Sequence, residues 1–218
     1  MKESVKNIFE ELFLRYPELE VCRDSILEAY NIIRATYENG GCLFACGNGG
    51  SCSDSEHIIG ELLKSFKFKR KINPILAEKL SEMGEYGKDL ANTLEAALPA
   101  VSLCGHGALT TAFLNDTEPT MTFAQQLLGL GNAGDTLIVI STSGNSKNCT
   151  YAATLAKAMG IKTVAMTGEK ESKLSALCDV TIKAPECETF KIQEKHLPIY
   201  HALCAMAEET FFENTGHK

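Results

Sequence analysis

The stretch Asp135-Thr136-Leu137-Ile138-Val139-Ile140 runs straight into Ser141-Thr142-Ser143-Gly144-Asn145-Ser146, and its reading decides the fold class. The short apolar run is bounded sharply by polar residues, which suits a strand buried on both faces. Four hydroxyls around one glycine then turn the chain, and a helical pattern follows over 145–159. The same grammar stands upstream. Cys42-Leu43-Phe44-Ala45-Cys46 is a second short apolar run, broken by Gly47-Asn48-Gly49-Gly50-Ser51 and followed by a helical pattern over 53–66.

Outward from these two units the alternation continues. Ala100–Cys104, Lys162–Thr167 and Asp179–Ala184 read as strands. The segments 119–130, 171–177 and 190–213 read as helices. Five strands alternating with helices predict βαβ units, and so a three-layer αβα sandwich around a parallel sheet. Two amphipathic helices, 3–15 and 18–38, form a helical N-terminal extension over residues 1–40, which Gly40-Gly41 closes as a residue at positive φ would. Residues 67–98 break the rhythm, with a short helix expected near 87–97. The basic run Lys67-Phe68-Lys69-Arg70-Lys71 reads as a solvated face. The chain is expected to be one domain over 1–218, with 67–98 as an insertion and Asn214–Lys218 frayed.

The net charge is −7 over 218 residues. An acidic chain disfavours nucleic acid or an anionic membrane as the main partner. It leaves room for a small anion, because backbone N–H groups bind phosphate locally. The nine cysteines form no CxxC pair, so free thiols in a reducing compartment are expected. No signal peptide and no membrane-length apolar run is visible, and the expectation is a cytoplasmic protein.

In an open parallel sheet, ligands bind beyond the carboxyl ends of the strands. Both polar turns stand there. Each alone is ordinary turn chemistry. Together they point to one phosphate site, with glycines allowing close backbone approach and the following helices presenting N–H groups. Neither turn contains lysine, so neither is a P-loop nor a dinucleotide fingerprint, and no nucleotide cofactor is expected. Proton-transfer candidates lie on two helices. His57 and Glu61 are four apart and share a face. Gln193 and His201, eight apart, sit about 80° apart around an ideal helix, with Pro198 between them predicting a kink or restart. His196 is about 140° from His201 and should look elsewhere.

In order and spacing, Gly47-Asn48-Gly49-Gly50-Ser51, His57-x-x-x-Glu61, Asn115-Asp116, Ser141-Thr142-Ser143-Gly144-Asn145-Ser146 and Ile192-Gln193-Glu194-x-His196-x-x-x-x-His201 resemble the phosphoheptose isomerase branch of the sugar isomerase (SIS) family over nearly the whole chain. The resemblance implies a flavodoxin-like SIS fold and isomerisation of sedoheptulose 7-phosphate to D-glycero-manno-heptose 7-phosphate. It implies that Ser51, Ser141, Ser143 and Ser146 hold the phosphate, with Gly49, Gly50 and Thr142 in the same turns, and that Asn48, Asn115, Asp116 and Gln193 contact substrate. It implies Glu61 and His201 as the acid–base pair, and matches His57, Glu61, Gln193 and His201 to positions that bind zinc in some members. It also implies a homotetramer with sites shared between subunits.

A Glu to move the carbon-bound proton and a His for the oxygens suit an enediol route. Two features depart from the branch: the longer 67–98 segment, and Gly60 where a second acidic residue is usual. Both bear on the substrate more than on the reaction. The contrasting reading is a non-catalytic sugar-phosphate-binding SIS protein or an adaptor for the replication initiator, which the presence of Glu61 and His201 disfavours.

Overall fold

The computed structural model describes residues 1–212; the expected fraying of Asn214–Lys218 and the last residue of the 190–213 helix lie outside them. Five strands form one all-parallel sheet in the order β2-β1-β3-β4-β5: β1 (Leu43–Gly47), β2 (Ala100–Ser102), β3 (Thr136–Ile140), β4 (Lys162–Thr167) and β5 (Val180–Lys183). This is the flavodoxin-like order, whose switch point lies between the first and third strands. The two runs that announce the fold are those two strands. Every residue of β1 and β3 is buried, as a sheet covered on both faces requires.

Alternation along the strands splits the core in two. Leu43, Ala45, Ile138, Ile140, Val164 and Met166 face one cluster, built with α1 (Glu3–Arg15), α2 (Arg23–Glu38), α3 (Gly50–Leu63) and α10 (Thr189–Phe211). Phe44, Cys46, Leu137, Val139 and Ala165 face the other, with α7 (Thr122–Leu130), α8 (Lys147–Ala158) and α9 (Lys173–Leu177). Each fully buried Leu, Ile or Phe contributes roughly 1.5–3 kcal/mol. All nine cysteines are free. Among the described residues no helix is long and apolar enough to cross a membrane.

Gly40 ends the N-terminal helices at φ +74°, as the sequence suggests. Elsewhere the structure corrects the reading. The first polar turn is shorter than expected: Gly49, at φ +56°, precedes α3, so Gly50 and Ser51 already belong to that helix rather than to a turn ending at Ser51. A helix α6 (Gly107–Asp116) stands where none was read; glycines at 105 and 107 and two adjacent threonines mask its periodicity. The 67–98 segment holds two helices, α4 (Pro74–Ser81) and α5 (Glu85–Thr93), and its ends are pinned by a bridge between Lys71 and Glu95. Pro198 does not restart the last helix, which runs unbroken through it.

The basic run is not wholly a solvated face. Arg70 is 1% exposed and pairs with Glu208 at 2.7 Å, both side chains being inaccessible. Its Nη1 and Nη2 donate to the carbonyls of Leu62 and Glu61 at 2.7 and 2.9 Å, capping the C-terminal end of α3. Glu208 in turn accepts the backbone N–H groups of Phe66 and Lys67. One buried ion pair thus joins the end of α3 to α10, the two helices that carry Glu61 and His201.

Candidate active site

The register pairs Gly47 with Ile140, so the two polar turns leave the sheet side by side. In the first, a Cβ on Gly47 would lie 2.5 Å from the carbonyl oxygen of Ser51; only glycine lets the chain fold back so tightly. Ser51 is buried. In the second, Gly144 adopts φ +64°, and a Cβ there would strike the Ser172 hydroxyl at 2.1 Å. The hydroxyls of Ser141 and Ser146 lie 3.0 Å apart, and Ser143 Oγ accepts the N–H of Asn145. Thr142 is half-buried between these serines. A reciprocal amide pair ties the turns together: Asn48 Nδ2 donates to Asn148 Oδ1 at 2.9 Å and Asn148 Nδ2 to Asn48 Oδ1 at 2.8 Å. The two turns therefore form one polar patch at the switch point.

The second part of the site lies along α3. His57 and Glu61, one turn apart, meet at 3.1 Å between Nε2 and Oε1. His201 comes in from α10, its ring centroid 4.9 Å from that of His57. The ligating atoms of His57, Glu61 and His201 all lie within 4.8 Å of one another. Among the described residues Glu61 Oε2 and His201 Nε2 are buried without a hydrogen-bond partner, Lys64 Nζ standing 3.9 Å from Glu61 Oε2. Burial, with the neighbouring His57 adding to it, holds the His201 imidazole below its usual pKa against the pull of Glu61. On the other side of His57, Nδ1 lies 2.9 Å from the Tyr200 hydroxyl, which donates to Asp54 Oδ1 at 3.3 Å; burial raises the Asp54 carboxyl. A cavity of about 330 Å³ opens beside His201, lined by Arg15, Tyr16, Phe66 and Lys67 among others.

Two imidazoles and one carboxylate are the donor set of an open zinc site. The two unpaired buried atoms are what such an ion would satisfy, so His57, Glu61 and His201 fit it. Gln193, expected with them, is placed differently: its amide packs against Gly50, about 16 Å from Glu61 by helix rise. Within one chain it lies with the first polar turn. His196 looks elsewhere, as its angle indicates: it is fully buried, with Nε2 3.2 Å from the Thr167 carbonyl. Asn115 and Asp116 are exposed at the end of α6 and bond each other. Asn148, Tyr200 and Asp54 were not anticipated. Asp54 falls on the His57–Glu61 stripe at positions i, i+3 and i+7, a signal available in the sequence. The partnership with Tyr200 depends on how the two helices pack and is not visible there.

The SIS-domain family profile matches residues 108–206. The phosphoheptose isomerase of Helicobacter pylori strain P12 is 33% identical, over 95% of this chain and 97% of that protein; that of Aneurinibacillus thermoaerophilus is 37% identical, over 82% and 77%. Among solved structures, a phosphoheptose isomerase from Francisella tularensis matches with a TM-score of 0.73 at 28% identity, covering 96% of this chain and 100% of that one. The one from Neisseria gonorrhoeae gives 0.71 at 29%, covering 95% and 98%.

Proposed function

The chain belongs to the phosphoheptose isomerase family, and from that premise we propose that it interconverts sedoheptulose 7-phosphate and D-glycero-manno-heptose 7-phosphate through an enediol, with Glu61 and His201 as the acid–base pair. The observation that carries this reading is the convergence of Glu61, His57 and His201 from two helices, with Glu61 Oε2 and His201 Nε2 both buried and without a hydrogen-bond partner among the described residues, Lys64 Nζ standing 3.9 Å from Oε2.

In this reading the phosphate rests on the Ser51 and Ser141–Ser146 turns, with the Asn48–Asn148 pair holding them together and Gln193 against Gly50. Asn115 and Asp116 contact the sugar chain. Glu61 has one oxygen engaged by His57; the other takes the proton from C1 or C2 and returns it to the neighbouring carbon. His201, held below its usual pKa by burial, is neutral near pH 7, so it can accept a proton from one substrate oxygen and give it to the other. Zinc, when bound by His57, Glu61 and His201, supplies Lewis acidity toward the sugar carbonyl; the reading does not require it. Residues 67–98 are an insertion in a single SIS domain, pinned at its base beside Glu61, where it bears on the shape of the sugar pocket.

We further assign a homotetramer with shared sites. Ser51 and Glu61 stand ten residues apart on α3, about 15 Å by helix rise. A neighbour presenting its own Glu61–His201 face to this copy's phosphate turns shortens that span. At substrate well below the wild-type KM, mixing a Ser143→Ala chain with a Glu61→Gln chain should then restore turnover above that of either alone; no restoration would leave each copy to work unaided.

The direct test is a coupled assay of the purified protein on five-, six- and seven-carbon ketose phosphates, with and without zinc. The heptose phosphate should turn over fastest. Turnover of a pentose or hexose phosphate alone would reject the heptose assignment. Saturable binding of a replication initiator with no turnover of any sugar phosphate would favour the adaptor reading.

A further inference from the structure

Three polar residues on α3, Asp54, His57 and Glu61, fall at positions i, i+3 and i+7 and so share one stripe. Tyr200, from α10, packs against the first two of them. Its side chain is 1% exposed, and its ring meets those of His57 and His201 edge-on at 5.5 and 5.0 Å. Packing of this kind leaves the hydroxyl little choice of position.

The direction of the hydrogen-bond chain is set by what Nε2 meets. A phenol has one proton and a carboxylate accepts only. The Tyr200 hydroxyl lies between Asp54 Oδ1 at 3.3 Å and His57 Nδ1 at 2.9 Å, and Nε2 faces Glu61 Oε1 at 3.1 Å. With no cation between them, Nε2–H donates to Glu61 and Nδ1 takes the Tyr200 proton. A cation held by Nε2 uses that nitrogen's lone pair, so the ring proton moves to Nδ1, Tyr200 Oη accepts from it, and the phenolic proton turns to Asp54. Asp54 is half-buried, and among the described residues Asp54 and His57 are the groups in hydrogen-bond range of Tyr200 Oη.

We propose that Asp54 and Tyr200 are positioning residues for His57 when a cation is held at Nε2: through Tyr200, Asp54 then provides the acceptor for the Nδ1 proton, fixes the ring plane, and keeps Nε2 aimed at the space shared with Glu61 and His201. This rests on the proposed function in taking that space as the reaction site. A carboxylate or other acceptor behind a metal-ligating histidine typically changes affinity by 10–100-fold when lost. Tyr200 relays that effect one residue further. Neither Asp54 nor Tyr200 touches the reacting atoms.

The test uses the full chain with zinc alone as the probe. Tyr200→Phe keeps the ring and removes the hydroxyl; Asp54→Asn keeps both rings and weakens the acceptor. Zinc affinity is measured by competition with a chromophoric chelator, and the imidazole nitrogens by ¹⁵N-histidine NMR of the zinc-loaded protein. In the wild type His57 should show a protected Nδ1 proton. In Tyr200→Phe that proton should lose protection and the zinc Kd should rise about 10–100-fold, with Asp54→Asn moving both readouts the same way by less. Should Tyr200→Phe be poorly folded, Asp54→Asn decides. An unchanged His57 Nδ1 signal with an unchanged zinc Kd in the folded variants overturns the proposal. A wild type that takes up no zinc also overturns the proposal. Failure of the isomerase reading looks different: the wild type turns over no sugar phosphate, while the His57 signal still depends on Tyr200.

Discussion

Glu61 Oε2 and His201 Nε2 are both buried and both lack a hydrogen-bond partner, in a group whose ligating atoms, together with those of His57, lie within 4.8 Å. Two such atoms side by side are costly: an unsatisfied buried polar group loses roughly 1–3 kcal/mol. The fold tolerates the cost here and holds the helices with a buried ion pair between Arg70 and Glu208. An acceptor and an imidazole without hydrogen-bond partners, and so able to meet a substrate, suit proton transfer.

Glu61→Gln tests this first. The substitution keeps the shape and removes the base. Turnover should fall well below a tenth of wild type, while ligand still raises the thermal midpoint because the phosphate turns are untouched. A variant that keeps more than a tenth of the rate, a barrier change under about 1.4 kcal/mol, would show that Glu61 is not the base.

Ser143→Ala should act on binding instead. Ser143 Oγ stands at the exposed tip of the second turn and accepts the N–H of Asn145, leaving its proton for a phosphate oxygen. Losing a hydrogen bond to a charged group costs about 1.5–3 kcal/mol, so KM should rise about tenfold or more with kcat little changed. An unchanged KM would remove Ser143 from the phosphate site. Asn148→Ala should also raise KM, because the Asn48–Asn148 pair holds the two turns in register.

The legible parts of this protein were those with local signatures. Leu137–Ile140 and Leu43–Cys46 announce buried strands because burial on both faces demands an unbroken apolar run. The glycines at 47, 49 and 144 announce turns because other residues would clash or be strained there. The His57–Glu61 pair is visible because four residues close one helical turn. What stayed hidden depends on chain segments meeting from far apart. Arg70 sits in a basic run and looks solvated, until Glu208, 138 residues away, supplies the charge that lets it be buried. Tyr200 looks like one more apolar residue of the last helix until α3 brings Asp54 and His57 to its hydroxyl. Gln193 matches a metal-ligand position by its place in a motif, and in this chain its amide packs against Gly50, a placement the motif alone does not reveal.

Arg70 and Glu208 should prove expensive to separate. Removing one partner leaves the other charge buried and unpaired, which typically costs about 3–5 kcal/mol. Arg70→Met and Glu208→Gln should each lower the urea midpoint strongly, Glu208→Gln also weakening two acceptors for the N–H groups of Phe66 and Lys67. The double variant should lose less than the sum of the two. Additive losses would mean that the pair is not coupled as its geometry indicates.

His196 should make the fold acid-sensitive. Its ring is fully buried. Nε2–H donates to the Thr167 carbonyl, and Nδ1 is buried without a partner among the described residues, so a second proton would find none of them to bond. Burial pushes its pKa down to about 4 from an unfolded value near 6.5. The unfolded chain therefore binds a proton that the folded chain refuses. Stability from this residue is fully present above about pH 6.5 and is lost progressively as pH falls toward 4, on the order of 3 kcal/mol in total. His201, also held below its usual value by burial, adds in the same direction, so the residue-specific part must be read by difference. His196→Gln keeps a donor for Thr167 and removes the titrating group. Urea midpoints at constant m-value, taken from pH 7 to pH 4, should fall more steeply for the wild type than for His196→Gln. Two parallel curves would mean that the His196 ring finds room for its second proton in the folded state, and that the packing of α10 against β4 is looser than its burial implies.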